Sequence, residues 1–258
     1  MSRPSSRTLF LSPHLDDVVL SCGGLLQQQA RQGLSPLVLT CFAGVPDYRM
    51  LSSFAEGQHR RWGQPEDPVR DRRAEDAAAL DSLGVAHEHW PYLDCIYRLR
   101  SGSKEFLYAS EEALFGEVDP SETALAQDLA RRLRRRFERA GLLVYAPLSA
   151  GAHVDHQLVR MAAQQLQESG YSITCYEDYP YSESPGELTV ALNQWTDSLK
   201  PFVVPLSQED VEAKVSAIRL YSSQVSVLFG GEQFVSLRVT SYSRLVGGGV
   251  AFGERYYQ

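Results

Sequence analysis

The chain has 258 residues, and 32 acidic against 25 basic side chains leave a formal net charge of −7 at neutral pH. Its 43% hydrophobic and 22% charged residues exclude wholesale disorder, and its length suffices for one large α/β domain or two small ones. The acidic balance argues against a dedicated nucleic-acid-binding protein. Apolar runs such as Leu142–Leu148 are far shorter than the ~20 residues that span a bilayer, so no membrane partner is expected.

The cysteines and the N-terminal segment favour a cytoplasmic location. Four cysteines lie far apart in the chain, without a C-x-x-C pair: Cys22, Cys41, Cys95 and Cys175. We expect these thiols to be reduced and mostly buried. The apolar run Leu9–Leu11 is too short for a secretory signal peptide, because Pro13 and charged residues follow it closely.

A strand, a helix and a second strand are predicted at the start of the chain. Thr8–Ser12 is a short apolar run typical of a buried strand, and Val18–Arg31 has a helical period. Pro36–Ala43 is apolar again. Such a βαβ unit favours a parallel sheet with a right-handed crossover.

The alternation of strands and helices continues along the chain. Further strands are predicted at Val85–Trp90, Leu142–Leu148, Ser172–Tyr176 and Leu199–Leu206. Further helices are predicted at Val69–Gly84, from an N-cap at Ser121 to Ala140, at Asp155–Ser169 and at Gln208–Tyr221. Because no repeat and no low-complexity linker interrupts this pattern, we expect one domain over residues 1–258.

Three segments lack a clean period: Gly44–Pro68, Tyr92–Pro120 and Val225–Gln258. Loops of this length inside a compact domain are usually functional or mobile. We therefore interpret Gly44–Pro68 as a candidate lid and Tyr92–Pro120 as a candidate active-site loop. The segment Val225–Gln258 is interrupted by glycines, and Glu254 within it either closes the site or belongs to a free tail.

Two clusters of histidine and aspartate stand out, and each follows a predicted strand. The first is Pro13–Asp17, and the second is His153–His156. Three of the six histidines of the chain fall in these two short segments. In open α/β sheets, ligands bind at the edge where parallel strands end, so we expect the two clusters to meet there.

Histidine and aspartate are preferred ligands of a borderline divalent metal, and catalytic zinc typically takes three protein ligands. His14 and Asp17 are three residues apart at a helix start, so both can face one point, and His156 can join them from the second cluster. Asp16 lies beside a ligand, and we assign it as the general base that activates water.

The remaining members of the second cluster have supporting roles in this interpretation. His153 is expected to stabilise the developing oxyanion or to protonate the leaving group. Asp155 is expected to hold a histidine ring in its tautomer through a hydrogen bond.

Each cluster also has a purely structural interpretation. Asp16 or Asp17 would serve as a helix N-cap, and His153 and His156 would be surface residues at a helix start. Capping alone does not account for two such clusters at the ends of two strands. The combination therefore favours a metal site.

These motifs resemble those of the LmbE-like (PIG-L) family of metal-dependent N-deacetylases. The family's first motif reads roughly Pro-His-Pro-Asp-Asp followed by a Gly-Gly pair, and its second reads His-x-Asp-His. The matching residues are Pro13-His14-Leu15-Asp16-Asp17 with Gly23-Gly24, then His153-Val154-Asp155-His156, and more loosely Arg72-x-x-Glu75 leading to Leu83-Gly84-Val85. The resemblance covers about residues 8 to 170.

The resemblance implies a single-domain, Rossmann-like three-layer α/β sandwich with a mostly parallel sheet and Zn²⁺ at its C-terminal edge; another divalent metal such as Fe²⁺ is the alternative. It implies hydrolysis of an N-acetyl group from an amino sugar, commonly an N-acetylglucosaminyl conjugate. The expected partner is thus a small amino-sugar glycoconjugate, with no nucleic acid and no membrane, and a homo-oligomer is compatible with this.

The resemblance also assigns roles to individual residues. Arg72 matches the arginine that grips sugar hydroxyls, and Asp94 lies where family members use an acidic residue on the substrate. The matches to the metal ligands are His14, Asp17 and His156, the match to the general base is Asp16, and the match to the transition-state-stabilising histidine is His153.

Two positions depart from the family pattern. Leu15 replaces the usual proline, which should alter only local stiffness. Some family members place a tyrosine two residues before the second-motif histidine as an oxyanion donor, and here that position is Gly151. The donor role is either lost or supplied by another group, which leaves room for a bulkier glycoconjugate.

An aromatic and acidic segment, Tyr176–Tyr181, is interpreted either as a packed loop or as a pocket wall in which Glu177 or Asp178 binds sugar hydroxyls. Two rival functions remain: a metal-dependent hydrolase of another amide or ester, and a non-catalytic sugar-binding module. The presence of Asp16 disfavours the second rival. No G-x-S-x-G or G-x-G-x-x-G motif indicates a serine hydrolase or a dinucleotide-binding protein.

Overall fold

The computed structural model describes residues 7–63, 66–195 and 198–258. The strands are β1 (Arg7–Ser12), β2 (Leu37–Thr40), β3 (Ala86–His89), β4 (Leu142–Pro147), β5 (Ser172–Tyr176), β6 (Pro201–Leu206) and β7 (Phe252–Tyr257). The helices are α1 (Asp17–Arg31), α2 (Ser53–Arg61), α3 (Pro68–Ser82), α4 (Glu111–Leu114), α5 (Thr123–Arg136), α6 (Val154–Glu168), α7 (Pro185–Leu192), α8 (Gln208–Ile218), α9 (Ser222–Phe229) and α10 (Glu232–Val246).

The strands form one sheet in the order β3-β2-β1-β4-β5-β7-β6. The first five strands in this order pair in parallel, whereas β7 is antiparallel to both of its neighbours. In β1, Leu9 lies opposite Leu37 on one side and Val144 on the other. The predicted α/β fold with a mostly parallel sheet is therefore confirmed, while the extent of the domain, residues 1–258, stays a prediction.

Helices cover both faces of the sheet, because the central strands bury side chains on each side. Leu9 and Leu11 belong to the core that α5 and α6 complete, whereas Phe10 belongs to the core completed by α1, α3 and α8. Phe10 also stacks on Tyr145 of the neighbouring strand, with ring centroids 4.3 Å apart. This arrangement is the predicted three-layer sandwich.

The strand order places the two His/Asp clusters side by side. From β1 the chain continues outward to β2 and β3, and it then returns to add β4 on the other side of β1. The crevice between the carboxyl ends of β1 and β4 lies at this change of direction, where ligands bind in open α/β sheets.

Two segments without a clean period hold more structure than the sequence predicted. Gly44–Pro68 contains α2, whose N-cap Ser52 accepts a hydrogen bond from the backbone N–H of Ala55. Its prolines precede or follow this helix, so they do not interrupt it. Tyr92–Pro120 contains α4 and a 3₁₀ turn at Cys95–Tyr97.

Other boundaries were also predicted wrongly. Ser121 is not an N-cap of α5, because it lies within the 3₁₀ turn Pro120–Glu122, which Asp119 caps. The segment Val225–Gln258 is not a tail, since it holds most of α9, all of α10 and β7. Its glycines lie at helix ends and do not prevent helix formation. Gly230, for example, ends α9 with a left-handed φ of 76°.

Two further predictions concern the chain as a whole. All four cysteines are free and buried, as expected: Cys22, Cys41, Cys95 and Cys175. Among the described residues, we find no helix with the length and apolar character that crossing a membrane requires.

Candidate active site

The two His/Asp clusters converge at the sheet edge. His14 and Asp16 lie in the loop after β1, Asp17 begins α1, and His156 lies in the first turn of α6. Asp17 Oδ2 is 3.4 Å from His14 Nδ1 and 3.3 Å from His156 Nε2. Side chains almost 140 positions apart thus face one another across the crevice, as the sequence predicted.

Both histidine rings of this trio are oriented by a second carboxylate. Asp155 Oδ2 lies 2.9 Å from His14 Nε2, and Asp178 Oδ1 lies 2.7 Å from His156 Nδ1. Both carboxylates are buried. With one ring nitrogen donating a proton to a carboxylate, the other nitrogen keeps its lone pair and faces Asp17, as in carboxylate–histidine–metal arrangements.

The hydrogen bonds decide which residues fit a metal ion. Ligand atoms within 4.8 Å of one another occur in three sets: His14, His153 and His156; Cys95, His153 and Asp155; and His14, Asp94 and Asp155. However, His153 Nδ1 accepts the backbone N–H of Asp155 at 3.2 Å, so its ring proton resides on Nε2, which then has no lone pair for a metal.

A cysteine ligand is also disfavoured, because burial raises the pKa of the Cys95 thiol well above its ordinary value. A set of His14, Asp94 and Asp155 would use His14 Nε2, which is engaged in the hydrogen bond to Asp155. The trio that fits a borderline divalent metal is therefore His14 Nδ1, Asp17 and His156 Nε2. These are the three residues that the sequence analysis assigned as ligands, and that assignment stays a prediction.

Asp16 is the N-cap residue of α1, but its side chain makes no capping hydrogen bond. It is buried, and its Oδ2 lies 3.6 Å from the Arg72 guanidinium. Burial and the neighbouring Asp17 raise the pKa of Asp16 to about 7, although Arg72 and His14 oppose the rise. A carboxylate with a pKa near neutrality is suited to take up and return a proton.

His153 is buried beside the trio, and its ring meets that of His14 edge-on, with centroids 4.7 Å apart. It caps α6 through the N–H of Asp155, and burial and the neighbouring His14 lower its pKa well below the ordinary value. The ring is thus a neutral Nε2–H donor. His153 and His156 are not surface residues, since their exposures are 7% and 2%.

Asp155 is fully buried and is held on its other side by Arg98, whose Nη1 lies 2.6 Å from Asp155 Oδ1. Burial alone would raise the pKa of this carboxyl, but Arg98 and His14 hold it below its usual range. Arg98 in turn pairs with buried Glu122 at 2.6 Å. Asp155 therefore holds the His14 ring through Nε2, on the side away from Asp17, which is the orienting position that the sequence suggested.

A cavity of about 170 Å³ opens above these groups. Arg72 and Asp94 line it, as the prediction of substrate contacts requires. The Arg72 guanidinium stacks on Trp62 at 4.7 Å, and its buried Nε has no hydrogen-bond partner in the described part of the chain. Asp94 Oδ1 accepts the N–H of Ile96 at 3.1 Å. Their contact with substrate stays a prediction.

The outer wall of the cavity comes from segments far apart in sequence. The region 44–68 supplies Trp62, which lines the cavity, whereas motion of this region as a lid stays a prediction. Helix α9 supplies Gln224 and Leu228. Glu75 of the loosely matched third motif holds the start of α9, because its carboxylate accepts hydrogen bonds from Ser223 N at 2.9 Å and from Ser223 Oγ at 2.6 Å.

Three acidic residues do not have the positions that the sequence suggested. Asp178 does not bind sugar hydroxyls, because it is buried against His156 and the N–H of Ala150. Glu177 is not among the residues that line the cavity, and it accepts hydrogen bonds from Tyr242 and Tyr257.

Glu254 neither closes the site nor belongs to a free end. It is buried in β7, where it accepts the N–H groups of Gly24 and Leu25 and pairs with Lys214 at 2.8 Å. Asp178 holds the His156 ring instead, a position that the sequence analysis did not assign to it. The signal was its position directly after β5, whose carboxyl end adjoins that of β4.

Comparison with known proteins gives consistent matches. The family model described as GlcNAc-PI de-N-acetylase (PIG-L) matches residues 9–167. A 2'-N-acetylparomamine deacetylase of Niallia circulans is 28% identical over 248 residues, which cover 90% of this chain and 86% of that protein. A 1D-myo-inositol 2-acetamido-2-deoxy-alpha-D-glucopyranoside deacetylase of Mycobacterium sp. (strain KMS) is 26% identical over 250 residues, covering 90% and 78%.

Among solved structures, the zinc-inhibited form of a teicoplanin deacetylase matches with a TM-score of 0.85 and 32% sequence identity, covering 97% of both chains. The part of the chain that matches the family model includes both His/Asp clusters and makes up well over half of the chain. The chain therefore belongs to the GlcNAc-PI de-N-acetylase (PIG-L) family, and the resemblance stated from its motifs is confirmed.

Proposed function

We propose that this protein is a zinc-dependent hydrolase that removes the N-acetyl group from an amino sugar, in an N-acetylglucosaminyl or related glycoconjugate. The observation that carries the proposal is the pairing of Asp17 with two carboxylate-oriented histidines beside the buried base Asp16. The relatives support it, because those described above are named deacetylases of 2'-N-acetylparomamine, of 1D-myo-inositol 2-acetamido-2-deoxy-alpha-D-glucopyranoside and of teicoplanin.

His14, Asp17 and His156 would hold the metal. When bound, a divalent metal supplies Lewis acidity that polarises the amide carbonyl and lowers the pKa of water. Asp16 takes one proton from the attacking water as the new C–O bond forms. Arg72, 3.6 Å away, favours the ionised form of Asp16 that this step requires.

The remaining groups complete the reaction. His153 donates its Nε2–H to the carbonyl oxygen as negative charge develops there, which its neutral tautomer permits. The C–N bond then breaks, and Asp16 returns its proton to the leaving nitrogen. The products are acetate and a free amino sugar, and no other reactant is needed.

Substrate recognition is assigned to the wall of the cavity. Arg72 has an unpartnered buried Nε, and a sugar hydroxyl satisfies such a donor. Asp94 presents a carboxylate beside it, and Trp62 and Phe115 provide apolar faces on which a pyranose ring packs. A cytoplasmic location is proposed as well, because four free buried thiols are typical of a reducing compartment.

The test combines metal analysis with a substrate panel. Protein purified without chelator is analysed for zinc and iron, and acetate release is measured with N-acetylglucosaminyl conjugates, other N-acylated amines and acetyl esters. We expect zinc and preferential release from the amino sugars. Release only from the other amides or esters would replace this function by its rival.

The Asp16→Asn variant separates catalysis from binding. It removes the base while keeping the size of the side chain, so we expect bound metal to remain and turnover to fall by about 10²- to 10⁴-fold. Retained turnover with metal bound would refute the role of Asp16.

A further inference from the structure

Gly151 and Tyr181 share one volume at the rim of the site. Gly151, two residues before His153, has a left-handed φ of +83°. A Cβ atom there would lie 2.5 Å from Tyr181 Cδ1 and 2.6 Å from its Cγ, closer than atoms can approach. The ring of Tyr181 therefore occupies the space that a side chain at position 151 would need.

This packing brings Tyr181 to the two catalytic histidines. Its ring meets that of His156 edge-on, with centroids 6.1 Å apart. It also contacts the ring of Phe115 at 6.0 Å, and Phe115 in turn meets the ring of His153 at 5.5 Å. Tyr181 lines the same cavity as Asp16 and His153.

The hydroxyl of Tyr181 makes no hydrogen bond to any residue within 7–63, 66–195 or 198–258. Tyr181 is only half-buried, and its hydroxyl is open to the cavity side, whereas the hydroxyls of the fully buried Tyr176 and Tyr221 bond to Leu11 O and Asp76. The hydroxyl of a tyrosine keeps its proton at neutral pH and can donate it in a hydrogen bond. A free neutral donor thus remains at the cavity.

We propose that Tyr181 is a catalytic residue whose hydroxyl donates a hydrogen bond to the carbonyl oxygen of the scissile amide, together with His153. The inference rests on the proposed amide hydrolysis. An oxyanion accepts two or more donors readily, and a donor held in place before reaction contributes more to the transition state than to ground-state binding. The ring of Tyr181 fills the space beside Gly151, and its hydroxyl takes the donor role that a side chain at position 151 would otherwise have.

The Tyr181→Phe variant keeps the ring over Gly151 and removes only the hydroxyl. We expect kcat to fall about 10²-fold with KM within about twofold of the wild type and with unchanged metal content. The matched control is Tyr171→Phe, because the hydroxyl of Tyr171 bonds to Phe137 O at the opposite end of β5. This control should keep the wild-type kcat.

A binding measurement gives a second readout. A glucosamine whose nitrogen carries a methylphosphonyl group mimics the tetrahedral intermediate, and its affinity should fall about as much as kcat in Tyr181→Phe. The planar N-acetyl sugar should bind both proteins equally. Equal kcat in the two proteins, or a loss confined to KM, would overturn the role of Tyr181 alone. A wild type that releases no acetate from any N-acetyl amino sugar would overturn the proposed function and this inference together.

Discussion

The floor of the cavity, formed by His14, Asp17 and His156, and its wall, which includes Arg72, are built in different ways. On the floor, His14 and His156 each have a carboxylate behind the ring, supplied by Asp155 in the first turn of α6 and by Asp178 just after β5. On the wall, the Nε of Arg72 lacks a partner within the described residues. The rings of the floor are thus oriented by the protein itself, whereas the free donor on the wall is available to a ligand.

This difference indicates where chemistry and selectivity reside. Groups locked by packed neighbours on strand ends keep their geometry within narrow limits, which a metal-dependent reaction needs. Donors left without partners cost free energy until a substrate satisfies them, so they discriminate between ligands. Substitutions on the floor should therefore affect metal and turnover, whereas substitution of Arg72 should affect pH dependence and substitution of Glu75 should affect KM.

The largest effect is expected from His156→Ala. It removes one of the three proposed ligands and leaves Asp178 and Asp17 as buried carboxylates without their imidazole, so both bound metal and acetate release should be lost. Elemental analysis and the acetate assay measure this. His87→Ala on the edge strand β3 is the control, and it should keep both. Full metal content in His156→Ala would remove His156 from the ligand set.

A smaller effect on the same floor is expected from Asp178→Ala. The carboxylate contacts no metal directly in this assignment, but it orients His156, so the affinity for zinc should fall about 10- to 100-fold. Competition with a chromophoric chelator measures it. Asp178→Asn keeps an acceptor for His156 Nδ1–H and should lose less. Equal losses in the two variants would indicate general destabilisation rather than orientation.

On the wall, Arg72→Gln should change the pH profile. The guanidinium lowers the pKa of Asp16, so its removal raises that pKa and leaves the base protonated at higher pH. The acidic limb of the kcat/KM profile should move upward by about one pH unit. Arg73→Gln is the neighbouring control, because Arg73 bonds to Ala43 O. If the acidic limb of the profile does not move in Arg72→Gln, Arg72 does not lower the pKa of the base Asp16.

The smallest effect is expected from Glu75→Ala. Its carboxylate holds the start of α9 through Ser222 and Ser223, and a lost helix-terminal acceptor costs about 1 kcal/mol in the free energy of unfolding. Because α9 carries Gln224 to the wall, KM should rise a few-fold while kcat and metal content hold. A fall in kcat without a change in KM would contradict the assignment of Glu75 to substrate binding rather than to catalysis.

The sequence predicted the floor better than the wall, for a physical reason. His14, Asp16 and Asp17 are adjacent in one strand-to-helix turn, so a motif of a few residues contains most of their geometry. The sequence analysis assigned Asp178 a different role, because its contact with His156 depends on β5 lying beside β4, which local pattern does not reveal. The wall combines α2, α9 and the loop before α5, and its members meet only in the folded protein.

The missed elements have the same explanation. Helix α10 lies between Gly230–Gly231 and Gly247–Gly249, and these glycines were interpreted as interruptions although they bound the helix. Several of them have positive φ, as helix-ending glycines do. Helix α2 was hidden by prolines on either side of it, which affect composition but not the helix itself.

The position of β7 has a consequence for how the protein folds. It lies between β5 and β6, although β6 precedes it by some fifty positions, and Glu254 on it reaches the backbone of α1, 230 residues earlier. During synthesis, β5 therefore has an unpaired edge. The neighbouring position of β6 is also empty until the ribosome has made β7, the last strand in the sequence. Such late, long-range pairing slows folding and leaves strand edges open to pairing with other chains until β7 is in place.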